Sequence, residues 1–495
     1  METIQQLVQK RLEVEKLPQQ LKKGSPLITG LSQSAKTLYI ASVYQTLDRP
    51  LVVIVPNLLA GQKLYTDLLS QLGEEQVYYY PAEELVAAQF SIASYESKAE
   101  RIDALDHLAS NKKAVYILPV ASLKQKIMHK KDWLSYVVTL EVGQVIDLEA
   151  MKFRLNASGY MREQLVTAPG QFSVRGGMID IYPLNAEYPV RIELFDDEID
   201  SIRSFDAETQ LSIQNETTCT IGPANEWVWT ERMYQELATV LEERLQKKLQ
   251  TLANDASKER FVQRVTEQVE TLRQSIPIDK IDLYKTYVDG YFSSITDYFS
   301  DDTVLIYDEM SRIEEVVQTL QAEETEVTMH FAEEGETLEA IPLSYAYHEV
   351  MSALKHPAIY LSLFKRTIPH VKLAEVVAYS CKPMQQFHGQ MHVLSAELER
   401  FSRENSYVFI AVESEERKYQ IETIFRDYSL DQYLTRGIPQ QGKVQVIVQQ
   451  FESGFEMPLQ QIALITDHEL FKTTKKVRTK TQKLSNAERI KSYSE

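Results

Sequence analysis

Residues 27–40 read LITGLSQSAKTLYI, which is a short apolar strand pattern, a polar loop and the start of a helical pattern in direct succession. Working outward, the apolar runs at 51–55 (LVVIV) and 115–118 (VYIL) predict buried strands. The stretches 62–72 and 97–108 between them have the spacing of amphipathic helices. The first part of the chain is therefore predicted to be an α/β unit with a parallel sheet.

The loop in this stretch departs from a working phosphate loop at one position. The pattern G-x-x-x-x-G-K-[ST] aligns with Gly30, Lys36 and Thr37, but it requires glycine where this chain has Ala35. A Cβ there obstructs both the backbone dihedrals and the approach of a phosphate. We therefore predict a degenerate nucleotide site, although Lys36 and Thr37 keep the residue types that contact phosphate and magnesium.

An acidic pair supplies the other half of the same predicted site. The run VLIY at 304–307 predicts a buried strand, and Asp308 and Glu309 follow it directly. Such a pair can hold magnesium and polarise water, but Met310 and Ser311 replace the residues that continue a helicase motif. The sequence also contains no motif of a second motor lobe. We predict no catalytic residue and no metal site in this chain.

Length and charge set the broad class of the protein. A chain of 495 residues is long enough for three to four domains, and 53 basic against 71 acidic residues give a net charge of −18. This charge disfavours a protein that coats duplex DNA. The only cysteines are Cys219 and Cys381, which fits a reducing cytoplasm, and no apolar run is long enough to span a membrane.

The pattern changes several times beyond the first unit. Short strand candidates separated by turn residues fill 143–210, and apolar spacings of three and four predict one or two long helices over 231–273. A further α/β unit is predicted at 375–470, from the strand-like runs VFIAV, VQVIV and IALIT. The last 24 residues, 472–495, carry eight basic and two acidic residues, and their ending resembles a cut inside a longer protein.

The most informative stretch lies at 158–206. Arg175, Arg191 and Glu193 fall on predicted short strands next to Phe195. Arginine with an aromatic and a carboxylate on a small β surface is the composition of an interaction hot spot. A solvated sheet face whose charges contribute little is the alternative interpretation.

Two motifs in this stretch resemble a known family. FSVRGGMIDIYP at 172–183 and RIELFDDEIDSIRSFD at 191–206 closely resemble the signature shared by the excision-repair protein UvrB and the transcription-repair coupling factors. The degenerate loop, the degenerate acidic motif and the passage YYYPAEELVAAQFSIASYESKAERIDAL at 78–105, which leaves no room for the DNA-gripping hairpin of UvrB, favour the coupling factors.

The resemblance implies a domain organisation. By this resemblance the chain would be an α/β multidomain protein. A vestigial helicase-like motor lobe would occupy 1–135 and 225–355, with a small α+β, strand-rich UvrA-binding domain inserted at 136–224. An α/β domain of unknown role follows at 370–470, and a basic linker at 471–495 leads towards an RNA-polymerase-interacting domain.

The resemblance also implies a function and a binding site. The family's UvrA-contacting arginines match Arg175 and Arg191, with Glu193 and Phe195 on the same surface, whereas Ser173 stands where UvrB has another arginine. We expect both arginines to be surface side chains that contribute little to folding, and Glu193 to orient one of them.

The leading hypothesis is a non-catalytic recruitment module for UvrA in transcription-coupled DNA repair. In the full protein, missing motor lobes would use ATP and magnesium to translocate on DNA and release stalled RNA polymerase. The chain itself would need no cofactor, would bind DNA weakly or only through its basic tail, and would be cytoplasmic without contacting a membrane. The alternatives are an ATP-dependent, UvrB-like enzyme that processes damaged DNA, and a purely structural scaffold.

Overall fold

The computed structural model describes residues 3–82, 95–250, 256–368 and 371–471. Two predictions fall partly outside this part of the chain. These are the absence of a hairpin, which involves residues 83–94, and the basic linker, which involves residues 472–495.

The described residues form strands, α-helices and short 3-10 helices. The strands are β1 Ser25–Thr29, β2 Leu51–Val55, β3 Val77–Tyr79, β4 Val115–Pro119, β5 Ile127–Met128, β6 Val138–Glu141, β7 Met161–Arg162, β8 Gln171–Arg175, β9 Met178–Ile181, β10 Val190–Phe195, β11 Glu198–Phe205, β12 Ser212–Glu216, β13 Thr218–Ile221, β14 Phe292–Ser293, β15 Val304–Asp308, β16 Ala358–Ser362, β17 Leu373–Ala378, β18 Lys382–Pro383, β19 Tyr407–Val412, β20 Val444–Val448, β21 Phe455–Met457 and β22 Ile462–Thr466. The α-helices are α1 Ile4–Arg11, α2 Leu17–Lys23, α3 Gln33–Leu47, α4 Leu58–Leu72, α5 Tyr95–Ala109, α6 Val120–Lys124, α7 Lys130–Tyr136, α8 Leu148–Ala157, α9 Glu231–Leu249, α10 Ala256–Arg273, α11 Met310–Glu333, α12 Tyr347–Ala353, α13 Met391–Arg403, α14 Glu415–Asp427 and α15 Asp467–Phe471. The 3-10 helices are Val14–Lys16, Glu74–Gln76, Ile281–Tyr291, Ile295–Tyr298, Asp431–Tyr433 and Pro458–Gln460.

A parallel seven-stranded sheet forms the largest layer, in the order β17-β1-β16-β15-β2-β4-β3. Alternate residues of β2 pack into different clusters, with Val52 and Ile54 on one face and Leu51, Val53 and Val55 on the other. Both faces are therefore covered, as a parallel sheet requires. The predicted α/β class is confirmed.

The sheet reaches further along the chain than the predicted lobe. Strands β16 and β17 both begin after residue 355, where the second part of the lobe was predicted to end. Strand β17 is an edge strand and largely exposed, so it lacks the continuous apolar run that indicates a buried parallel strand.

A six-stranded sheet, ordered β12-β11-β10-β9-β8-β7, contains the motifs of the 158–206 stretch. Its strands are antiparallel except β7 and β8. The chain enters this region along β6 and leaves it along β13, and these two strands pair with each other. One face carries Phe172, Ile179 and Ile192, which join the same hydrophobic cluster as Trp133 of α7.

Asp106 on α5 links the first lobe to this strand-rich region. Its carboxylate accepts hydrogen bonds of 2.8 Å from the Trp133 indole and 2.8 Å from the Asn185 amide. Burial raises the pKa of Asp106 to about 6, since the charged form is poorly solvated there.

The remaining regions follow the predicted pattern. Helices α9 and α10 share a core with the 3-10 helix at Ile281–Tyr291, as the spacing over 231–273 predicted for the helices. A second α/β sheet, ordered β18-β21-β22-β19-β20, contains the predicted strands at 408–412, 444–448 and 462–466. No helix in the described part of the chain is both long and apolar enough to cross a membrane.

Candidate interaction surface and degenerate nucleotide site

The second face of the six-stranded sheet carries the predicted interaction residues. Strand pairing places Arg175 opposite Met178, and Met178 opposite Glu193, in one row across β8, β9 and β10. The next row contains Asp180 opposite Arg191. Phe195 ends β10 at the tight turn into β11. Directly opposed residues point to the same side of a sheet, as do residues two apart on one strand, so all these side chains share one face.

Asp180 is the buried centre of this face. Its side chain is 0% exposed, and its carboxylate accepts three hydrogen bonds from two guanidinium groups. Arg175 Nη2 lies 2.8 Å from Oδ2, while Arg191 Nε and Nη2 lie 2.7 Å from Oδ1 and 2.9 Å from Oδ2. A buried carboxylate needs such partners to remain stable, and Arg191 supplies two of the three hydrogen bonds.

The two arginines differ in what they expose. Arg175 is 48% exposed and bonds the Asp180 carboxylate through Nη2, so further N–H groups of its guanidinium face solvent. Arg191 is 12% exposed, and its guanidinium carbon lies 4.3 Å from the centre of the Phe205 ring. It also donates to the Gln210 side chain at 3.0 Å.

The expectation that both are surface arginines is therefore wrong for Arg191. Its hydrogen bonds to Asp180 raise the pKa of the Arg191 guanidinium and fix it within the protein. The sequence pattern could not show this, because the burial of Arg191 depends on the loop that carries Gln210 and on Phe205 of β11.

Glu193 also has a different partner from the one expected. Its carboxylate forms an ion pair with Arg203 and accepts a hydrogen bond of 3.1 Å from Ser201. Both partners lie on β11, at and near the position opposite Glu193. The expected orientation of Arg175 or Arg191 by a Glu193 hydrogen bond is thus not what the structure has.

Phe195, the apolar member of the predicted interaction residues, is 79% exposed. At the other end of the face, Ser173 is buried and its hydroxyl donates to the Gln164 carbonyl at 3.0 Å. The face is thus covered near Ser173 and Asp180 and exposed towards the β10–β11 turn. We call the exposed end, formed by Arg175, Met178, Glu193 and Phe195, the open face. The sequence analysis missed Asp180, which binds Arg175 of the open face, because an aspartate inside an apolar strand pattern carries no distinct signal.

The predicted nucleotide site is built differently from a phosphate loop. Helix α3 begins at Gln33, three residues before Lys36, so the loop after β1 spans only residues 30–32. Amides beyond the first helical turn donate within the helix, which leaves those of Lys36 and Thr37 unavailable to a phosphate. Ala35 is 1% exposed and packs in the core cluster on this side of the sheet.

The charged residues of this site neutralise one another. The Lys36 ammonium lies 2.8 and 2.7 Å from the two carboxylate oxygens of Asp308. Glu309 accepts from the Ser362 hydroxyl at 3.1 Å and from the Leu363 amide at 2.5 Å, so it caps the end of β16. The structure thus brings the predicted residues of the two motifs together, but it gives them structural partners.

Backbone from a later part of the chain lies over the same loop. Gly30 has φ +82°, and a Cβ on it would lie 1.9 Å from the Tyr379 carbonyl oxygen. The Ser453 amide donates to the Ser34 hydroxyl at 3.2 Å. Thr37 is buried, and its hydroxyl lies 3.5 Å from an Asp67 oxygen. Residues following β17 and β20 therefore contact the loop and the first turn of α3.

Metal ligation has no support among the described residues, which contain no group of three or more histidine, cysteine or acidic side chains that could hold an ion.

Comparison with known proteins shows what the chain is similar to. A model of the UvrB interaction domain matches residues 138–227. The chain is 37% identical over 471 residues to the transcription-repair-coupling factor of Bacillus subtilis, a match that covers 95% of this chain and 40% of that protein. It is 34% identical over 479 residues to the protein of the same name from Staphylococcus haemolyticus, covering 94% and 40%. The chain thus spans about 40% of the length of these curated relatives.

Proposed function

We propose that this chain, a homologue of the transcription-repair coupling factors over nearly its whole length, recruits the excision-repair protein UvrA and performs no catalysis of its own. The observation that carries the proposal is the open face. It lies within the residues that match the UvrB interaction domain, and it presents a half-exposed arginine beside an exposed aromatic ring.

In the proposed contact the two arginines have different roles. Arg175 donates its outward N–H groups to a carboxylate on UvrA, and Phe195 supplies apolar area next to it. Arg191 is a positioning residue, since it holds Asp180 and Asp180 in turn holds Arg175. Glu193 shapes the same surface through its ion pair with Arg203.

Three features support the absence of ATP chemistry in this chain. Lys36 and Asp308 are paired with each other, the phosphate loop is shortened by helix α3, and the Tyr379 carbonyl approaches Gly30 closely. ATP and magnesium would have to displace each of these contacts, so we propose that the chain needs no cofactor.

The remaining activities belong to the proposed longer protein. There, motor lobes outside this chain would use ATP to translocate on DNA, and a following domain would bind RNA polymerase. Such a role places the protein in the bacterial cytoplasm, where transcription takes place. With a net charge of −18 we propose weak DNA binding by the chain, carried by the basic residues 472–495.

The two other hypotheses are less well supported. A UvrB-like enzyme needs a working nucleotide site, and the residues that would form it are held in contacts with other parts of the protein. A purely structural scaffold would bury the strand-rich region against its neighbours, whereas Arg175 and Phe195 remain exposed.

The test is a calorimetric titration of purified UvrA into the chain and its variants. Arg175→Ala and Phe195→Ala are each expected to weaken binding roughly 10- to 100-fold, because few residues dominate such a contact. Arg436→Ala is the matched control, since Arg436 is 78% exposed and lies outside the strand-rich region. Unchanged affinity in both test variants would place the UvrA contact elsewhere.

A further inference from the structure

A second apolar side chain lies in line with Phe195. Val145 forms an antiparallel bridge with Glu198, and Glu198 is paired in turn with Phe195 across the β10–β11 turn. Directly opposed residues of antiparallel strands point to the same side. Val145, Glu198 and Phe195 therefore form one row, next to the row of Arg175, and we call it the turn row.

Backbone hydrogen bonds fix the position of Val145 in this row. The Gly143 amide donates to the Ile199 carbonyl at 2.7 Å, and the Ile199 amide donates to the Gln144 carbonyl at 2.9 Å. The Ile146 amide donates to the Asp197 carbonyl at 2.9 Å. Residues 143–146 thus extend the sheet beside β11, so the turn row is a continuous part of the same surface.

The two ends of the turn row are exposed. Phe195 is 79% and Val145 is 62% exposed. Opposed side chains on neighbouring strands lie about 5 Å apart, so Phe195 and Val145 are roughly 10 Å apart with the Glu198 carboxylate between them. Single exposed apolar residues are ordinary on protein surfaces. Two of them in one row, beside the half-exposed Arg175, form a patch of apolar and charged side chains.

We infer that Val145 is a contact residue for the same partner that binds Arg175 and Phe195. The inference rests on the proposed function, because it assigns to UvrA a footprint that continues from the open face onto the turn row. The partner surface that fits this pattern carries an apolar side chain over Val145 and Phe195. It places a carboxylate near Arg175 and a hydrogen-bond donor or cation near Glu198.

The test compares Val145 with a matched residue of the same region. Val145→Glu puts a second carboxylate beside Glu198 and removes apolar area, so UvrA affinity is expected to fall at least about tenfold. Val145→Ala is expected to weaken binding roughly two- to fivefold. Ile213→Glu is the control, because Ile213 is 49% exposed on the edge strand β12, away from the turn row, and should change affinity less than about twofold.

Hydrogen exchange of residues 195–199 shows in each variant whether the turn is intact. If Val145→Glu leaves the turn intact and binds UvrA like the unmodified chain while Phe195→Ala is weakened, the inference about Val145 fails and the proposed function stands. If the unmodified chain does not bind UvrA, both are overturned. Equal losses in Val145→Glu and Ile213→Glu would indicate a general charge effect and would also overturn the assignment of Val145.

Discussion

Replacing Arg191 by alanine tests the structural role that burial assigns to it. The change removes two of the three hydrogen bonds to the fully buried Asp180 carboxylate, together with the 4.3 Å stacking on Phe205. Removing one partner of a buried ion pair costs about 3–5 kcal/mol, and the remaining bond from Arg175 reduces this to about 2–4 kcal/mol. Arg175→Ala removes one bond from a half-exposed side chain and should cost under about 1 kcal/mol.

Hydrogen exchange of strands β8 to β11 measures this difference locally, because a chain of several domains has no single unfolding transition. In Arg191→Ala the protected amides of these strands should exchange roughly 30- to 1,000-fold faster, whereas in Arg175→Ala they should change less than about fivefold. Exchange at the unmodified rate in Arg191→Ala, or an equal acceleration in both variants, would refute the positioning role.

Four further outcomes follow from the same structure. Calorimetric titration of ATP should detect no binding to the chain, and Ala35→Gly should not create hydrolysis, since Lys36 remains paired with Asp308. Lys36→Ala should lower the local stability of the first lobe, measured by hydrogen exchange of α3 and β15, by about 1–3 kcal/mol, because it leaves the nearly buried Asp308 carboxylate unpaired. Folding raises the pKa of Asp106 from 3.8 to about 6, so this carboxyl group binds its proton more tightly in the folded state. Its contribution to stability is therefore lost as pH rises from about 4 to 6. Asp106→Asn should flatten that part of the profile of stability against pH. A chain ending at Phe471 should lose most duplex DNA binding, and tight salt-sensitive binding by that shortened chain would contradict the charge argument.

The sequence predicted the strands well because their apolar runs are short, continuous and bounded by turn residues. The runs at 51–55, 115–118 and 304–307 are all buried strands of one parallel sheet. Strand β17 was missed as part of that sheet because an exposed edge strand has little apolar signal.

The candidate surface was predicted in location more than in detail. Arg175, Arg191, Glu193 and Phe195 do share one sheet face, as alternation along the strands requires. The burial of Arg191 could not be predicted, since it depends on residues that are distant in sequence, such as Gln210. The close approach of the Tyr379 carbonyl to Gly30 is likewise a long-range contact that no local motif contains.

A hydrogen-exchange footprint of UvrA on the intact chain tests the proposed recruitment function most directly. Bound UvrA should slow exchange of the amides at 142–146 and 195–199, the two segments that contain Val145, Glu198 and Phe195 of the turn row. It should leave the sheet formed by β18 to β22 unchanged. Protection confined to that second sheet or to the loop at 30–32, with none around Phe195, would contradict the account.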